Sequence, residues 1–395
     1  MADMIQADLH KSYATVLKYF MLTGINLFDD KNIFISKFNN LYIFSFILYL
    51  TVSISHVIYS VRQFLGGVDF LETIIDLSFC CNCVQGIIMY IYMCVIKHRI
   101  KDFVMDIDKQ WRDDSSLKPR VAMYKRNELK KLNFTSNLIC VLIELYLHVY
   151  MCYPITKILV KKYIFNKTVP YHSPFQFWVP FEYKDNILKF IALYFVDYLM
   201  VSILAHTINC SLLVLTVSIK QLNILFVLLQ EDFKDIIELK EEGMNIKLKR
   251  AIQRHSILNR LVVKIGNTYG ILFAIHIIFT SATVCFYSVT AKIYGRREDF
   301  KNLIISILTF SNVFYCCAQG QFLNDEAENV ANVIYENSWE DQSIENRKLL
   351  LLIILRSQQT FYVTSTQFLT ISLNTLIAIM KMTWSLISLI ATMYD

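Results

Sequence analysis

The sequence predicts an all-α membrane protein of seven transmembrane helices, with an intracellular N-terminus, a long fourth helix and a split seventh helix. Three observations carry that reading. Of the 395 residues, 55% are hydrophobic and only 18% charged, against roughly 45–50% and roughly 25% in a soluble domain. Seven charge-poor stretches are each long enough to cross the bilayer core, which takes about 20 residues. Only five Pro occur, none after Pro180, so the second half of the chain can run as uninterrupted helix. The same composition excludes a disordered chain and a disulfide-stapled secreted module.

Residues 1–37 read as a cytoplasmic N-terminal segment without the basic start of a cleaved signal peptide. Within it Leu9, Tyr13, Val16, Leu17 and Phe20 recur at helical spacing, predicting a short amphipathic helix on the inner membrane face. The spans are 38–61, 77–96, 132–156, 198–219, 265–291, 302–324 and 357–380, free of Asp, Glu, Lys and Arg except for Glu144 in the third. The segments assigned to the cytoplasm hold 27 Lys and Arg against 11 outside. That bias puts the N-terminus inside and the C-terminus outside. The sequon at Asn166 falls in the outer loop between spans three and four, in agreement.

After span four, Ile219, Leu222, Phe226, Leu229, Phe233 and Ile236 repeat at spacings of three and four. Such a heptad seam requires another helix against it, either within the chain or in a second subunit. Residues 344–394 as one helix would extend about 76 Å, far more than one crossing, so a break is required. Ser357-Gln358-Gln359-Thr360 is the polar place for it, with the spanning helix running from about 362 to 392. In that helix Met380, Thr383, Ile387 and Ile390 or Ala391 share one face, while Lys381 points elsewhere.

Aromatic residues gather in the outer half. Tyr146 stacks over Tyr150, Tyr194 over Tyr198 and Phe310 over Phe314, each at a spacing of four. Some interfacial belt residues are expected, but several of these lie a turn or two deeper than headgroup level. Converging aromatic faces with occasional hydroxyls suit a pocket for a small, neutral, mostly apolar molecule. The intramembrane charges Glu144, Asp197 and Lys381 show no relay spacing and read as structural. The ten Cys lie in or beside the spans and lack metal-ligand spacing, so neither metal nor cofactor is expected. There is no G-x-S-x-G, H-E-x-x-H or phosphate loop, which argues against an enzyme, and nothing points to nucleic acid. Every Pro lies at or outside a span end, unlike the broken helices of transporters.

The C-terminal residues add a resemblance. Gly320, Tyr335 and Trp339, the run Leu349 to Leu352, Arg356-Ser357-Gln358, Leu373 with Thr375, Lys381 and Ser385 resemble the signature of the insect odorant receptor family. Phe361 and Trp384 depart from it, standing where Pro and Tyr are usual. The resemblance implies an olfactory receptor of the plasma membrane: a ligand-gated, non-selective cation channel opened by a volatile, one tuning subunit in a heterotetramer with a shared co-receptor. It implies that residues 38–219 with 265–324 bind the odorant through Tyr146, Tyr150, Tyr194, Tyr198, Phe310 and Phe314. Segments 220–264 and 325–360 form a cytoplasmic anchor, including Leu222, Phe226, Leu229, Phe233, Tyr335 and Trp339. Residues 361–395 line the pore through Met380, Thr383, Ile387, Ile390 and Ala391, with the gate near Ile387 and Ala391. The co-receptor has a much longer loop between spans four and five, so the short 220–264 segment points to a tuning subunit. A gustatory-type channel shares the inverted topology, but the Thr-Tyr-x-x-x-x-x-Gln-Phe ending typical of that group is missing here. A G-protein-coupled receptor would have its N-terminus outside.

Overall fold

The computed structural model describes residues 7–25, 33–67, 70–166, 186–239, 244–294, 300–359, 363–366 and 369–394. Within them the chain is all-α apart from one two-stranded hairpin. The helices are α1 (Ala7–Leu22), α2 (Ile33–Leu65), α3 (Phe70–Asp108), α4 (Pro119–Leu159), α5 (Ile187–Ile237), α6 (Met244–Tyr294), α7 (Phe300–Glu336), α8 (Ile344–Ser357) and α9 (Leu373–Tyr394). Strands β1 (Thr364–Thr366) and β2 (Leu369–Thr370) pair antiparallel between α8 and α9. Among the described residues four helices are long and apolar enough to cross a membrane: Phe79–Asp108 within α3, Pro119–Ile164, α5, and Met244–Val289 within α6.

Helix α5 is the central rod. Of its most apolar stretch 89% is buried, against 17% for α4. The contrast follows from composition. Helix α5 is apolar on every side, as a helix surrounded by others must be, whereas α4 leaves Val141, Leu145 and Val149 exposed, a face suited to lipid. Asn186 caps α5, its side-chain oxygen accepting from the amides of Leu188 and Lys189.

The heptad seam lies inside the chain. Leu222, Phe226, Leu229 and Phe233 are fully buried in the core that α5 shares with α1, α3, α6 and α7. Their assignment to a contact between subunits is therefore corrected: a side chain already enclosed by its own chain has no surface to offer another. Tyr335 is 68% exposed, whereas Trp339 is half-buried against the same core.

Helix α1 also departs from the expectation. Leu9, Tyr13, Val16 and Phe20 are buried in protein rather than turned to a membrane face. The Tyr13 hydroxyl lies 2.9 Å from Ser218 Oγ and donates to Gln221 Oε1 at 2.9 Å, and Gln221 Nε2 donates to Ser12 Oγ at 2.6 Å. The apolar stripe is real, but α5 takes it up.

The last helix begins at Leu373 rather than near 362, because Thr364–Thr366 and Leu369–Thr370 pair as strands β1 and β2. Much of the polarity of 357–380 thus belongs to a connection, not to a span. Two glycines admit it. A Cβ on Gly320 would overlap the Ile371 carbonyl oxygen, and one on Gly266 would sit 2.5 Å from that of Thr364.

Ion pairs tie one end of the bundle together. Asp232 of α5 accepts from Arg112 and, at 2.8 Å, from Arg254; Glu128 of α4 accepts from Lys220 and Lys131, each at 2.7 Å; Asp106 of α3 accepts from Lys264 at 2.6 Å. Burial pushes the Glu128 carboxyl up, but the two ammonium groups outweigh it and hold it below its ordinary value.

Candidate ligand cavity

Five helices converge on a cavity of about 80 Å³. Helix α4 supplies one face of successive turns, Ile143, Tyr146, Leu147 and Tyr150, because residues three and four apart point the same way. Helix α3 contributes Phe79 and Asn82, α5 Val201 to Asn209, α6 Tyr287, and α7 Leu308 with Thr309. The Tyr146 and Tyr150 rings are 5.8 Å apart and tilted by 41°.

The lining is apolar and aromatic with a few fixed polar groups. Asn82 Nδ2 donates to the Tyr287 hydroxyl at 3.4 Å, and Thr283 Oγ1 donates to Asn82 Oδ1 at 3.3 Å. Asn209 Nδ2 donates to the Ala205 carbonyl at 2.7 Å while its Oδ1 accepts from Asn312 at 3.1 Å. These bonds fix how both amides are oriented, so the polar edge they present is set before anything enters. Among the described residues no charged side chain lines the wall. The arrangement suits a small neutral molecule with one oxygen function.

Tyr146 and Tyr150 are the sequence-predicted residues that the structure brings together here. Tyr194 and Tyr198 lie further along α5, outside the wall: Tyr194 packs on Phe190 at 5.7 Å, and the Tyr198 hydroxyl sits 3.1 Å from His148 Nε2. Phe310 lines a different crevice, between α6, α7 and α9, and Phe314 is half-exposed. Sequence reasoning missed Phe79, Asn82, Asn209, Tyr287 and Thr309. The two amides left a signal, since lone Asn residues within charge-free spans need partners, but nothing in periodicity says which spans share a cavity.

Met380, Thr383 and Ile387 also line the crevice against α6 and α7. Ile387 packs on Cys285 and Val289. Thr383 is buried and Ile387 half-buried there, so the assignment of these two to the pore is corrected in this conformation, whereas Met380 stays 49% exposed. The side chains of Ile390 and Ala391 lie outside the described residues. The opposite line of α9, Asn374, Ala378, Lys381, Ser385, Ser388 and Thr392, is exposed throughout.

Glu144 is accounted for by a partner on α5. Its Oε2 lies 3.0 Å from His206 Nε2, and the His206 ring stacks on Tyr19 with centroids 5.5 Å apart. Asp197 is buried. Asn166 is exposed and adopts φ 49°, while the rest of its sequon lies outside the described residues. Among the described residues no group of three His, Cys, Asp or Glu is placed to hold a metal ion.

Comparison with known proteins gives one consistent result. The sequence profile of the 7tm odorant receptor family matches residues 69–384. The chain is 26% identical to the putative odorant receptor 85d of Drosophila melanogaster over 148 residues, 37% of this chain and 36% of that protein. It is 21% identical to odorant receptor 85c of the same species over 238 residues, 60% of each. It is also 29% identical to the odorant receptor coreceptor of Ooceraea biroi over 129 residues, 32% of this chain and 27% of that protein. The matched stretches thus span less than two thirds of the curated relatives. The fold matches the insect olfactory receptor OR5 of Machilis hrabei in complex with eugenol, with a TM-score of 0.81 at 13% identity, covering 98% of this chain and 99% of that one. The same receptor without eugenol matches with a TM-score of 0.76.

Proposed function

The chain belongs to the 7tm odorant receptor family, and from that premise we propose that it is the tuning subunit of a ligand-gated cation channel in the plasma membrane. Its ligand is a small neutral volatile held among α3, α4, α5, α6 and α7. The carrying observation is the cavity itself, where Tyr146 and Tyr150 meet Asn82 and Asn209 with no charged side chain among the described lining residues. Most of the affinity comes from burying the carbon skeleton, at about 25 cal/mol per Å², and the amides select an oxygen function. At roughly 10–15 Å³ per water-sized probe, the cavity of about 80 Å³ admits the smallest volatiles without side-chain movement.

In this reading α2 to α7 and α9 make seven crossings, with the N-terminus inside and the C-terminus outside, following the Lys and Arg bias. The partner is the odorant receptor co-receptor, in a heterotetramer surrounded by lipid. The subunit role rests on the short α5–α6 connection: α5 ends at Ile237 and α6 begins at Met244. The polar line of α9 faces the ion path.

The test is current recording from cells expressing the chain with a co-receptor, against a panel of small volatiles. Tyr150→Ala is expected to shift the dose response about tenfold, the equivalent of roughly 1.4 kcal/mol of lost contact. Asn82→Leu is expected to abolish the preference for oxygenated over hydrocarbon ligands of one size. Unchanged dose responses in both variants would move the ligand elsewhere.

A further inference from the structure

The larger space in the described bundle is not the cavity but the crevice between α6, α7 and α9, which encloses about 430 Å³. That is within the roughly 300–1,000 Å³ usual for small-molecule sites. Its wall is apolar, with Val284 on α6, Phe310 on α7, and Leu376 and Ile387 on α9. Hydroxyls of Thr280 and Thr383 interrupt it.

Thr280 is the informative one. Serine and threonine within apolar helices normally satisfy their hydroxyl on the carbonyl three or four residues back. Thr216, Thr268, Ser281 and Ser311 all do so, at 2.7 to 2.9 Å. Thr280 is 4% exposed, lines the crevice, and its Oγ1 makes no hydrogen bond. A buried hydroxyl without a partner is unfavourable, so its placement points to a group that enters the crevice. An acyl chain of a lipid would fill the volume and leave the hydroxyl unsatisfied.

We propose that this crevice is a second binding site, for a small molecule with one oxygen function and an apolar skeleton too large for the α3–α7 cavity. The oxygen meets the Thr280 hydroxyl and the skeleton lies between Phe310, Leu376 and Ile387. Because α9 forms one wall, occupancy bears directly on the position of that helix. The proposal stands on the crevice alone and does not depend on the α3–α7 cavity being the odorant site.

Photolabelling tests it. The purified full-length protein in lipid nanodiscs is irradiated with a diazirine-bearing octanol and the adducts are mapped by mass spectrometry. Saturable adducts are expected within residues 277–288, 306–313 or 376–387. Val284→Trp, which fills the crevice, is expected to lower them at least fivefold. Thr280→Val, of equal size and safe for folding, is expected to raise the half-labelling concentration about tenfold. The proposal is overturned by the lack of saturable labelling in these three segments, or by labelling that neither substitution alters. It is also overturned by labelling that added phospholipid displaces and excess unlabelled octanol does not. Adducts near Asn82 and Tyr150 report separately on the α3–α7 cavity, so either site can fail without the other.

Discussion

Single residues decide how α8 is held to α6. His255 is buried, with Nε2 3.2 Å from Ser357 Oγ and 3.3 Å from Asn259 Nδ2. An amide NH₂ only donates, so Nε2 accepts and the ring is neutral with its proton on Nδ1. Burial first, and the Arg356 guanidinium second, push the imidazole down to about 4, from an ordinary value of about 6.5. The folded value is the lower one, so between these two values the unfolded chain binds more protons. Stability therefore rises with pH across that window and is lost as pH falls through it. His255→Asn keeps a polar acceptor without the titration. It is expected to flatten the dependence of Tm on pH from about 6.5 to about 4, read by thermal unfolding of the purified protein. The depressed carboxylates Asp106, Asp114 and Glu128 act lower down. Their contribution is complete above the ordinary carboxylate range and lost beneath it, so the two effects separate on one curve.

At the scale of elements, the paired strands β1 and β2 lie in the connection from α8 to α9, which passes close over Gly266 of α6 and Gly320 of α7. The Cβ of an alanine at Gly320 or Gly266 would meet backbone oxygen, which cannot swing aside as a side-chain tip can. Gly86 is the contrast, for there a Cβ meets the ends of the Leu204 and Tyr49 side chains. Gly320→Ala and Gly266→Ala are therefore expected to reduce ligand-evoked current per surface receptor several-fold. Gly86→Ala should change it less, with surface biotinylation as the normaliser. Equal currents in all three would mean that the hairpin yields freely. Sequence made the helices legible because twenty or more apolar residues have few other fates in lipid. It made Tyr146 and Tyr150 legible because a spacing of four fixes a shared face. It left Tyr287, Asn209 and the hairpin hidden, since those depend on which helices meet and on backbone pairing that a charge-free stretch does not encode. Likewise the stripes of α1, α5 and α9 were visible as stripes, but a period says only that a face is covered, not by what.

For the whole molecule the question is which surfaces remain once the chain has packed on itself. Phe226 has none, and Phe226→Ala is expected to cost about 3–5 kcal/mol of stability through the cavity left behind, lowering expression before it alters assembly. Helix α9 retains one polar line, Asn374, Lys381, Ser385, Ser388 and Thr392, all exposed in the single chain. Lipid is a poor solvent for that line, and an ammonium at membrane depth is costly unless it meets water or a partner. Several copies arranged with this line inward would solvate it and enclose an aqueous path at once. Thr383 and Ile387, which face the crevice, cannot do so while α6 and α7 cover them. In the proposed channel, with this line beside the ion path, the Lys381 ammonium would repel cations and lower their conductance. Lys381→Gln is expected to raise single-channel conductance and shift the reversal potential toward that of a more cation-selective pore, with ligand sensitivity unchanged. Lys381→Glu should move both further in the same direction. If both variants reach the surface with wild-type conductance and reversal potential, Lys381 snorkels to an interface and the polar line of α9 belongs to a contact between subunits instead.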